Sequence, residues 1–417
     1  MSLEENQNNT PRRRGFFRGK RYEDLTIYRE KIHPEPERET VLPTKGIVDV
    51  PFLLITTALV LFGCVMIYSA SSVYAEQYHD DNTYFIARHL VFLLMSIAFT
   101  AVVVKICTPL FWRDFSYILF GAAILLLLLV LVIGVDLGSG AKRWINLGIF
   151  TFQPSEIAKL ALVLALARFL AHHEKKVLSI DRFGGSFRYG VLYPGFMIGA
   201  VALLIAAERH ISGLMIVGMI GIAVMLLAGT KWRWIFGIAA LVGVAGCLLV
   251  LVSEYAQARV MTWLFIEDAD PLGSAWQTLQ GLMAIGSGGL FGKGLGNSDQ
   301  KFGYVSQPQN DFIFTIVCEE LGFVGALLVL GLFVAFTWRG FYIARHCPDK
   351  FSALTVYGLT FKVALQVLLN VAVVTNSMPN TGIALPFFSY GGTSLMLQVF
   401  EVGIILSISR YASHRKI

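Results

Sequence analysis

The chain has 417 residues, of which 55% are hydrophobic and only 15% are charged, and its formal net charge is +6. This composition is too apolar for a water-soluble protein of this length, and the apolar residues form long blocks such as Phe115–Val135 and Ile211–Thr230. About 20 apolar residues cross a bilayer as a helix that satisfies its own backbone hydrogen bonds, so the sequence predicts an all-α integral membrane protein. A membrane β-barrel is excluded, because its strands would appear as short segments of alternating hydrophobicity.

The chain begins with a polar, basic tail, residues 1–47, which contains the stretch "PRRRGFFRGKRYEDL". Its low content of aliphatic residues predicts disorder. The basic cluster either binds the anionic inner leaflet or acts only as a topology determinant, and both interpretations remain open. The tail does not have the pattern of a cleaved signal peptide.

Ten spans are predicted in the membrane domain, residues 48–408, which is followed by a short tail, residues 409–417. Lys and Arg are concentrated in the N-terminal tail and in the loops on its side of the membrane, so both termini are expected in the cytoplasm. The net positive charge follows from this sorting and does not indicate a nucleic-acid partner. The predicted spans are 48–72, 85–107, 115–135, 154–171, 189–207, 211–230, 233–253, 311–337, 352–375 and 384–408.

A polar patch surrounds the start of the fourth predicted span. Glu156 and Lys159 are three residues apart and therefore share a face of that helix, and Arg143 lies in the preceding outer loop. The pair is either a structural ion pair near the interface or part of a functional site.

The stretch "AERHISG" after the fifth span places Glu208 in a short outer turn, for which a solvated turn is the simpler interpretation.

The large outer loop, residues 253–310, is aromatic and glycine-rich. Within it, Ser274–Gly289 has apolar residues at helical spacing, which predicts an amphipathic helix against the outer membrane face. The stretch "GSGGLFGKGLG" lacks the glycine spacing and the Ser or Thr after the lysine that a nucleotide-binding P-loop requires, so no nucleotide site is predicted.

Three carboxylates stand in the stretch "QPQNDFIFTIVCEELG", which reads as the start of the eighth span. An Asp at mid-bilayer costs about 2.5–3.5 kcal/mol on insertion scales, so their presence needs a reason. Asp311 is either a helix N-cap or a functional carboxylate at the outer end of the span. Glu319 and Glu320 point about 100° apart on a helix, so we expect at least one to be hydrogen-bonded or paired with a cation inside the bundle.

A broken apolar stretch, Asn376–Leu395, precedes the tenth span and contains prolines, glycines and small polar residues. It either lines a cavity or forms a tight loop packed on neighbouring helices. The five cysteines show no metal-binding spacing, and neither a disulfide nor a metal site is predicted.

These patches together resemble the SEDS (shape, elongation, division and sporulation) family, and within it the cell-division branch more than the elongation branch. The resemblance covers the chain from the first span to the last, in order. The stretches that carry it are "MIYSASS" (66–72), "GAKRWINLGIFTFQPSEIAKL" (140–160), "WQTLQGLMAIGSGGLFGKGLGNSDQKFGYV" (276–305), "DFIFTIVCEELGFVG" (311–325) and "LPFFSYGGTSL" (385–395).

The resemblance implies a peptidoglycan glycosyltransferase that polymerises lipid II outside the cytoplasmic membrane at the division septum. It implies a class B penicillin-binding protein, which is a transpeptidase, and other division proteins as partners. The family's functional positions fall on Asp311 as the catalytic residue and on Arg143, Glu156, Lys159 and Gln280 as substrate-binding residues.

The chain departs from the family pattern in two places. "ERHISG" stands where many members have a Pro-Asp-Leu-Gly-Thr-like turn, which leaves the role of Glu208 open. "QPQNDF" keeps Asp311 but not the His-Thr that usually precedes it.

The chemistry implied needs a base more than an acid. A sugar hydroxyl is a weak nucleophile that a carboxylate can deprotonate, whereas pyrophosphate is a good leaving group that needs charge neutralisation by cations such as Arg143 and Lys159. A divalent cation, Mg²⁺ or Mn²⁺, is left open as a cofactor. The alternatives are a flippase for a lipid-linked precursor, a scaffold that only recruits the transpeptidase, and the elongation or sporulation member of the same family. Against the flippase, no internal repeat is visible and the polar sites lie at the outer ends of spans.

Overall fold

The computed structural model describes residues 45–136, 142–148, 151–179, 185–252, 254–266, 268, 270, 273 and 275–412. Most of the N-terminal tail and residues 413–417 therefore lie outside the described residues. The helices in chain order are α1 (Val50–His79), α2 (Tyr84–Ile106), α3 (Pro109–Ile133), α4 (Pro154–His172), α5 (Glu174–Val177), a π-helical turn (Arg188–Leu192) that continues into α6 (Tyr193–Ala207), α7 (Ile211–Ala228), α8 (Trp232–Val252), α9 (Glu254–Leu264), α10 (Trp276–Ser287), α11 (Ile313–Arg345), α12 (Lys350–Val374) and α13 (Gly392–Ser409).

Every predicted span coincides with one of these helices. Within the described residues, eight are long and apolar enough to cross a membrane: α1, α2, α3, α6 with its π-helical turn, α7, α11, α12 and α13. The other two predicted spans correspond to α4 and α8, so the total of ten spans stays a prediction. In α4 the apolar character is diluted by Glu156, Lys159 and Arg168.

In two places the helix boundary differs from the predicted span boundary by eight residues. Helix α11 runs to Arg345 rather than to residue 337, and it is broken at Gly322, where φ is 68° and ψ is −168°. Helix α13 begins at Gly392 rather than at residue 384. The preceding residues pack as non-helical chain against α1, where a Cβ on Gly63 would lie 2.1 Å from the carbonyl oxygen of Phe387. A glycine in α1 therefore permits this close approach.

One end of the bundle gathers both ends of the described chain. Asp49 caps α1 by accepting from the amide of Phe52 at 2.9 Å, and it also accepts from Arg339 Nε at 2.9 Å and Nη2 at 2.8 Å. The amide of Gly46 donates to the carbonyl of Arg410 at 2.7 Å. The start of α1 and the end of α13 thus lie on the same side.

Helix α4 occupies the centre of the protein. Its residues from Leu160 to Ala167 are buried, and it packs against α3, α6, α7 and α12. A two-stranded antiparallel hairpin, β1 (Ile145–Asn146) and β2 (Thr151–Phe152), leads into it. Pro154 at the first turn suits a helix start, because proline lacks the amide hydrogen that a helix leaves unpaired there. The first turn of α4 is thereby delivered into the interior.

Candidate active site

Four charged side chains meet in the interior at the start of α4, and we call them the buried charge cluster: Glu156, Lys159, Lys362 and Glu401. Lys159 Nζ lies 2.5 Å from Glu156 Oε1, and Lys362 Nζ lies 2.5 Å from Glu401 Oε1. Lys362 Nζ is also 3.7 Å from Glu156 Oε2. All four side chains are buried, and Lys362 is fully so. The predicted pairing of Glu156 with Lys159 is confirmed, as part of a larger group with two positive and two negative charges.

The cluster lies beside the middle of two long helices. Lys362 is near the middle of the 25-residue helix α12, and Glu401 is near the middle of the 18-residue helix α13. The expectation that polar sites sit at the outer ends of spans stays a prediction for Glu156 and Lys159. Glu156 lies in the first turn of α4 and Lys159 in the next, and the structure places this start of the helix against the middle of α12. Ionisable groups at this depth mark functional sites in membrane proteins.

The turn between α6 and α7 contacts both Arg143 and the start of α4. Arg143 Nη2 donates to the carbonyl oxygen of Arg209 at 2.6 Å. Glu208 is buried rather than solvated, and burial raises its pKa to about 8, against the opposing charge of Arg143. It is therefore mostly protonated at pH 7. Burial, together with Lys159 and Arg143, lowers the pKa of His210 to about 3, so this imidazole is neutral, with its Nδ1 atom 3.5 Å from Ser155 Oγ.

Asp311 lies immediately before α11 and does not cap it. The N-cap of α11 is Phe312, without a side-chain capping bond, so the helix-cap account of Asp311 is wrong. The residue as a whole is partly exposed. Burial raises the pKa of this carboxyl, and the charge of Arg259 opposes that rise. Asn370 Nδ2 donates to the backbone carbonyls of Asp311 and Ile383, both at 2.7 Å.

The loop at residues 376–382 lies against Asp311. A Cβ on Gly382 would lie 3.4 Å from Asp311 Oδ2, so the carboxylate faces this glycine at ordinary contact distance. Arg259, on α9, donates to the carbonyl of Asn380, and Ser212, on α7, donates to the carbonyl of Thr381. The broken stretch before α13 therefore forms a loop beside Asp311, and hydrogen bonds from α7 and α9 hold this loop in place.

The helix that carries Gln280 packs against Phe312, the residue after Asp311, whereas the predicted pair on α4 contacts α12 farther along the chain. Gln280 is on the buried face of α10, next to Gly281, which packs against the ring of Phe312. The charge cluster is reached along α12: Lys362 and Asn370 are eight residues apart on that helix, a rise of about 12 Å. These four predicted site residues therefore form two groups. We call Asp311 and Gln280 the upper group, and Glu156 and Lys159 the lower group.

Three residues of these groups were missed from the sequence: Lys362, Glu401 and Arg259. The first two are isolated charges in otherwise apolar spans, which was a usable signal. Arg259 lies in a mixed polar stretch of the outer loop, and nothing local distinguishes it from a solvated arginine.

Glu319 and Glu320 have different partners, and the prediction that at least one is paired is confirmed for both. Glu319 accepts from Lys293 Nζ at 2.8 Å, from Ser298 Oγ at 2.5 Å and from the amide of Asp299 at 3.1 Å. Glu320 accepts from Ser69 Oγ at 2.7 Å and lies 3.5 Å from Lys301 Nζ. These carboxylates hold the outer loop and α1 against α11.

The glycine segment, residues 288–294, fits into the break of α11. Lys293 and Gly294 donate their amides to the carbonyls of Glu319 and Glu320 at 3.0 and 2.9 Å. Gly292 has φ 77°, and a Cβ there would lie 2.2 Å from the carbonyl oxygen of Glu320. The remainder of α11 after Gly322 is still long enough to span a bilayer. Both glutamates precede this break, so the segment after it is long enough to cross a membrane without them.

Among the described residues, no group of three or more His, Cys, Asp or Glu side chains is arranged to hold a metal ion.

The chain resembles known proteins over most of its length. Residues 50–414 match the FtsW, RodA and SpoVE family model, described as a cell cycle protein. Stage V sporulation protein E of Bacillus subtilis is 40% identical over 88% of this chain and 98% of its own length. A probable peptidoglycan glycosyltransferase FtsW of Trichlorobacter lovleyi is 36% identical over 87% of this chain and 93% of its own.

The fold of the chain is similar to the folds of solved structures. One described as "Structural coordination of polymerization and crosslinking by a peptidoglycan synthase complex" has a TM-score of 0.72, with 27% identity, over 87% of this chain and 98% of that one. The rod shape determining protein RodA of Thermus thermophilus has a TM-score of 0.65, with 28% identity, over 88% and 98% of the two chains.

Proposed function

Because the chain belongs to the FtsW, RodA and SpoVE family of cell cycle proteins, we propose that it is a peptidoglycan glycosyltransferase that polymerises lipid II. Its reaction joins the hydroxyl of one lipid-linked sugar to the anomeric carbon of another, with undecaprenyl pyrophosphate as the leaving group. The observation that carries the residue assignment is the position of Asp311, which is partly exposed, does not cap α11 and faces a glycine.

Asp311 is the general base of this mechanism. Its carboxylate takes the proton of the acceptor hydroxyl as that oxygen attacks the anomeric carbon. The new glycosidic bond forms while the bond from the anomeric carbon to the pyrophosphate oxygen breaks, and the electron pair leaves with the pyrophosphate. No second catalytic acid is needed, because the leaving pyrophosphate requires charge neutralisation more than a proton.

Cations close to the two residue groups supply that neutralisation. Arg259 lowers the pKa of Asp311 by its charge, and Arg143 donates to the carbonyl of Arg209, next to Glu208. Both guanidinium groups suit the planar recognition of phosphate oxygens. The protonated Glu208 adds no negative charge next to Arg143 at neutral pH. In this assignment Glu156 and Lys159 bind substrate as one unit, and Gln280 contacts substrate from α10.

A flippase remains the second candidate, since the buried charge cluster is near the middle of its helices. Charged groups at that depth serve the passage of polar head groups in transporters. The cluster is nevertheless internally neutral, and its cations are already paired with carboxylates. This closed arrangement favours a positioning role over transport.

We place both termini in the cytoplasm, because basic residues accumulate on that side, and the active site at the outer face of the membrane. The expected partner is a class B penicillin-binding protein, which would cross-link the strands that this chain polymerises. Together with other division proteins it would act at the septum. The stretch "GLGNSDQKFGYV" supports the division role, and depletion that blocks spore formation but leaves division intact would reassign the chain to sporulation.

The direct test uses purified protein and purified lipid II, with and without the transpeptidase, and with EDTA followed by Mg²⁺ or Mn²⁺. We expect glycan strands on gel analysis. A well-folded protein with its partner that yields no strands, but moves fluorescent lipid II across proteoliposome membranes, would establish the flippase instead.

A further inference from the structure

Two members of the buried charge cluster, Lys362 and Glu401, take no part in the mechanism above, although they contact residues that do. Lys362 Nζ lies 2.5 Å from Glu401 Oε1 and 3.7 Å from Glu156 Oε2. Because these residues belong to α12, α13 and α4, the ammonium group of Lys362 bridges three helices.

This arrangement places an ammonium group beside each oxygen of Glu156, although Oε2 accepts no hydrogen bond from the described residues. Lys159 approaches Oε1 from the next turn of the same helix, and Lys362 approaches Oε2 from α12. Without Lys362, the carboxylate would be held on one side only and could rotate about its last torsion, which has a broad energy minimum.

Stability alone does not account for the Lys362–Glu401 pair. Replacing a buried ion pair with well-packed hydrophobic residues of similar volume is often neutral or stabilising, because the desolvation cost disappears together with the attraction. Charge balance does not demand it either, since Glu156 and Lys159 already balance each other. What the pair adds is a second fixed charge against Glu156.

We propose that Lys362 and Glu401 are positioning residues that orient the Glu156–Lys159 pair for binding the lipid II head group. Lys362 sets the Glu156 carboxylate, and Glu401 sets Lys362. The proposal rests on the proposed function for its ligand and goes beyond it in assigning the lower half of the site.

The test is the affinity for purified lipid II in detergent, measured on Asp311→Asn protein so that no strand forms. The variant is Lys362→Met with Glu401→Gln, which removes both charges together. We expect a loss of affinity of about five- to thirtyfold. In a Glu156→Gln background the same change should alter affinity by less than about twofold, because its route to the substrate has already been removed.

Two further variants separate positioning from folding. Lys362→Arg keeps the charge and the donors, and should restore most of the affinity. The matched control is Asp49→Asn with Arg339→Gln, an ion pair with contacts of 2.8–2.9 Å at the far end of the bundle. It should leave affinity unchanged, and each variant must elute as a monodisperse protein.

An equal loss of affinity in the parent and Glu156→Gln backgrounds would overturn the proposal, as would no loss in either. If the parent protein does not bind lipid II at all, the proposed function fails instead. The positioning claim is then read from thermal unfolding, where Lys362→Met and Glu156→Gln must shift the transition non-additively, and strictly additive shifts would refute it.

Discussion

Removal of the charge at Glu319 should release the outer loop without unfolding the membrane domain. The side chain is fully buried and accepts from Lys293 Nζ at 2.8 Å, Ser298 Oγ at 2.5 Å and the amide of Asp299 at 3.1 Å. Glu319→Gln keeps the shape but turns one acceptor into an NH₂ group that faces these donors. Breaking a buried pair by removing one partner costs about 3–5 kcal/mol.

The lower end of that range applies here. Lys293 is partly exposed and retains Asp299 at 2.7 Å, so its charge is not left unpaired. A cost of about 3 kcal/mol corresponds to roughly 100-fold more opening of the loop. The cost falls on the loop because Glu319 connects it to α11, and local openings of this kind are independent of global unfolding.

Limited trypsin digestion in detergent measures this opening, because Lys293 and Lys301 are cleavage sites within the loop. When opening is fast relative to cleavage, the rate follows the open population. We expect cleavage at these two lysines to accelerate by roughly 100-fold. Glu254→Gln, at an exposed position on α9, is the matched control. A Glu319→Gln cleavage rate within about twofold of the parent would refute the assigned role of the carboxylate.

Three further predictions concern the site. Neutral substitution of Glu156 or of Lys159 should each abolish polymerisation, and the double change should cost little more; strictly additive losses in rate would argue against a single unit. Single cysteines along 276–287 should react from outside with an impermeant thiol reagent, with helical periodicity, and labelling only from the cytoplasm would overturn the topology. Arg259→Gln should shift the acid limb of the pH–rate profile to higher pH, whereas Arg259→Lys should not. The reason is that the base must be ionised and that Arg259 lowers the pKa of Asp311. An acid limb at the same pH in both variants would show that Arg259 does not act on the catalytic carboxylate.

The sequence predicted the helices well, because long apolar runs bounded by charges and loops leave few alternatives in a membrane. It failed where chain geometry departs from a continuous helix. The break at Gly322 depends on a glycine segment some thirty residues earlier that supplies amides to the freed carbonyls. The late start of α13 depends on Gly63, more than 300 residues away. Neither contact leaves a local pattern.

The sequence predicted the local features of the candidate site but not the contacts between distant helices. The three-residue spacing of Glu156 and Lys159 predicted their ion pair, since helical periodicity is local. Their contact with the middle of α12 was not predictable, because it depends on how α4 enters the bundle after the hairpin β1–β2. The involvement of Lys362 and Glu401 required three helices to be placed together.

The measurement that tests the central claim most directly is glycan-strand formation from lipid II by well-folded Asp311→Asn protein with its transpeptidase partner. Asn is nearly isosteric and leaves the backbone carbonyl that accepts from Asn370. It cannot take a proton from the acceptor hydroxyl, so polymerisation should fall by roughly 10²–10⁴-fold while lipid II still binds. Strand formation near the parent rate would contradict the account and remove Asp311 from the catalytic assignment.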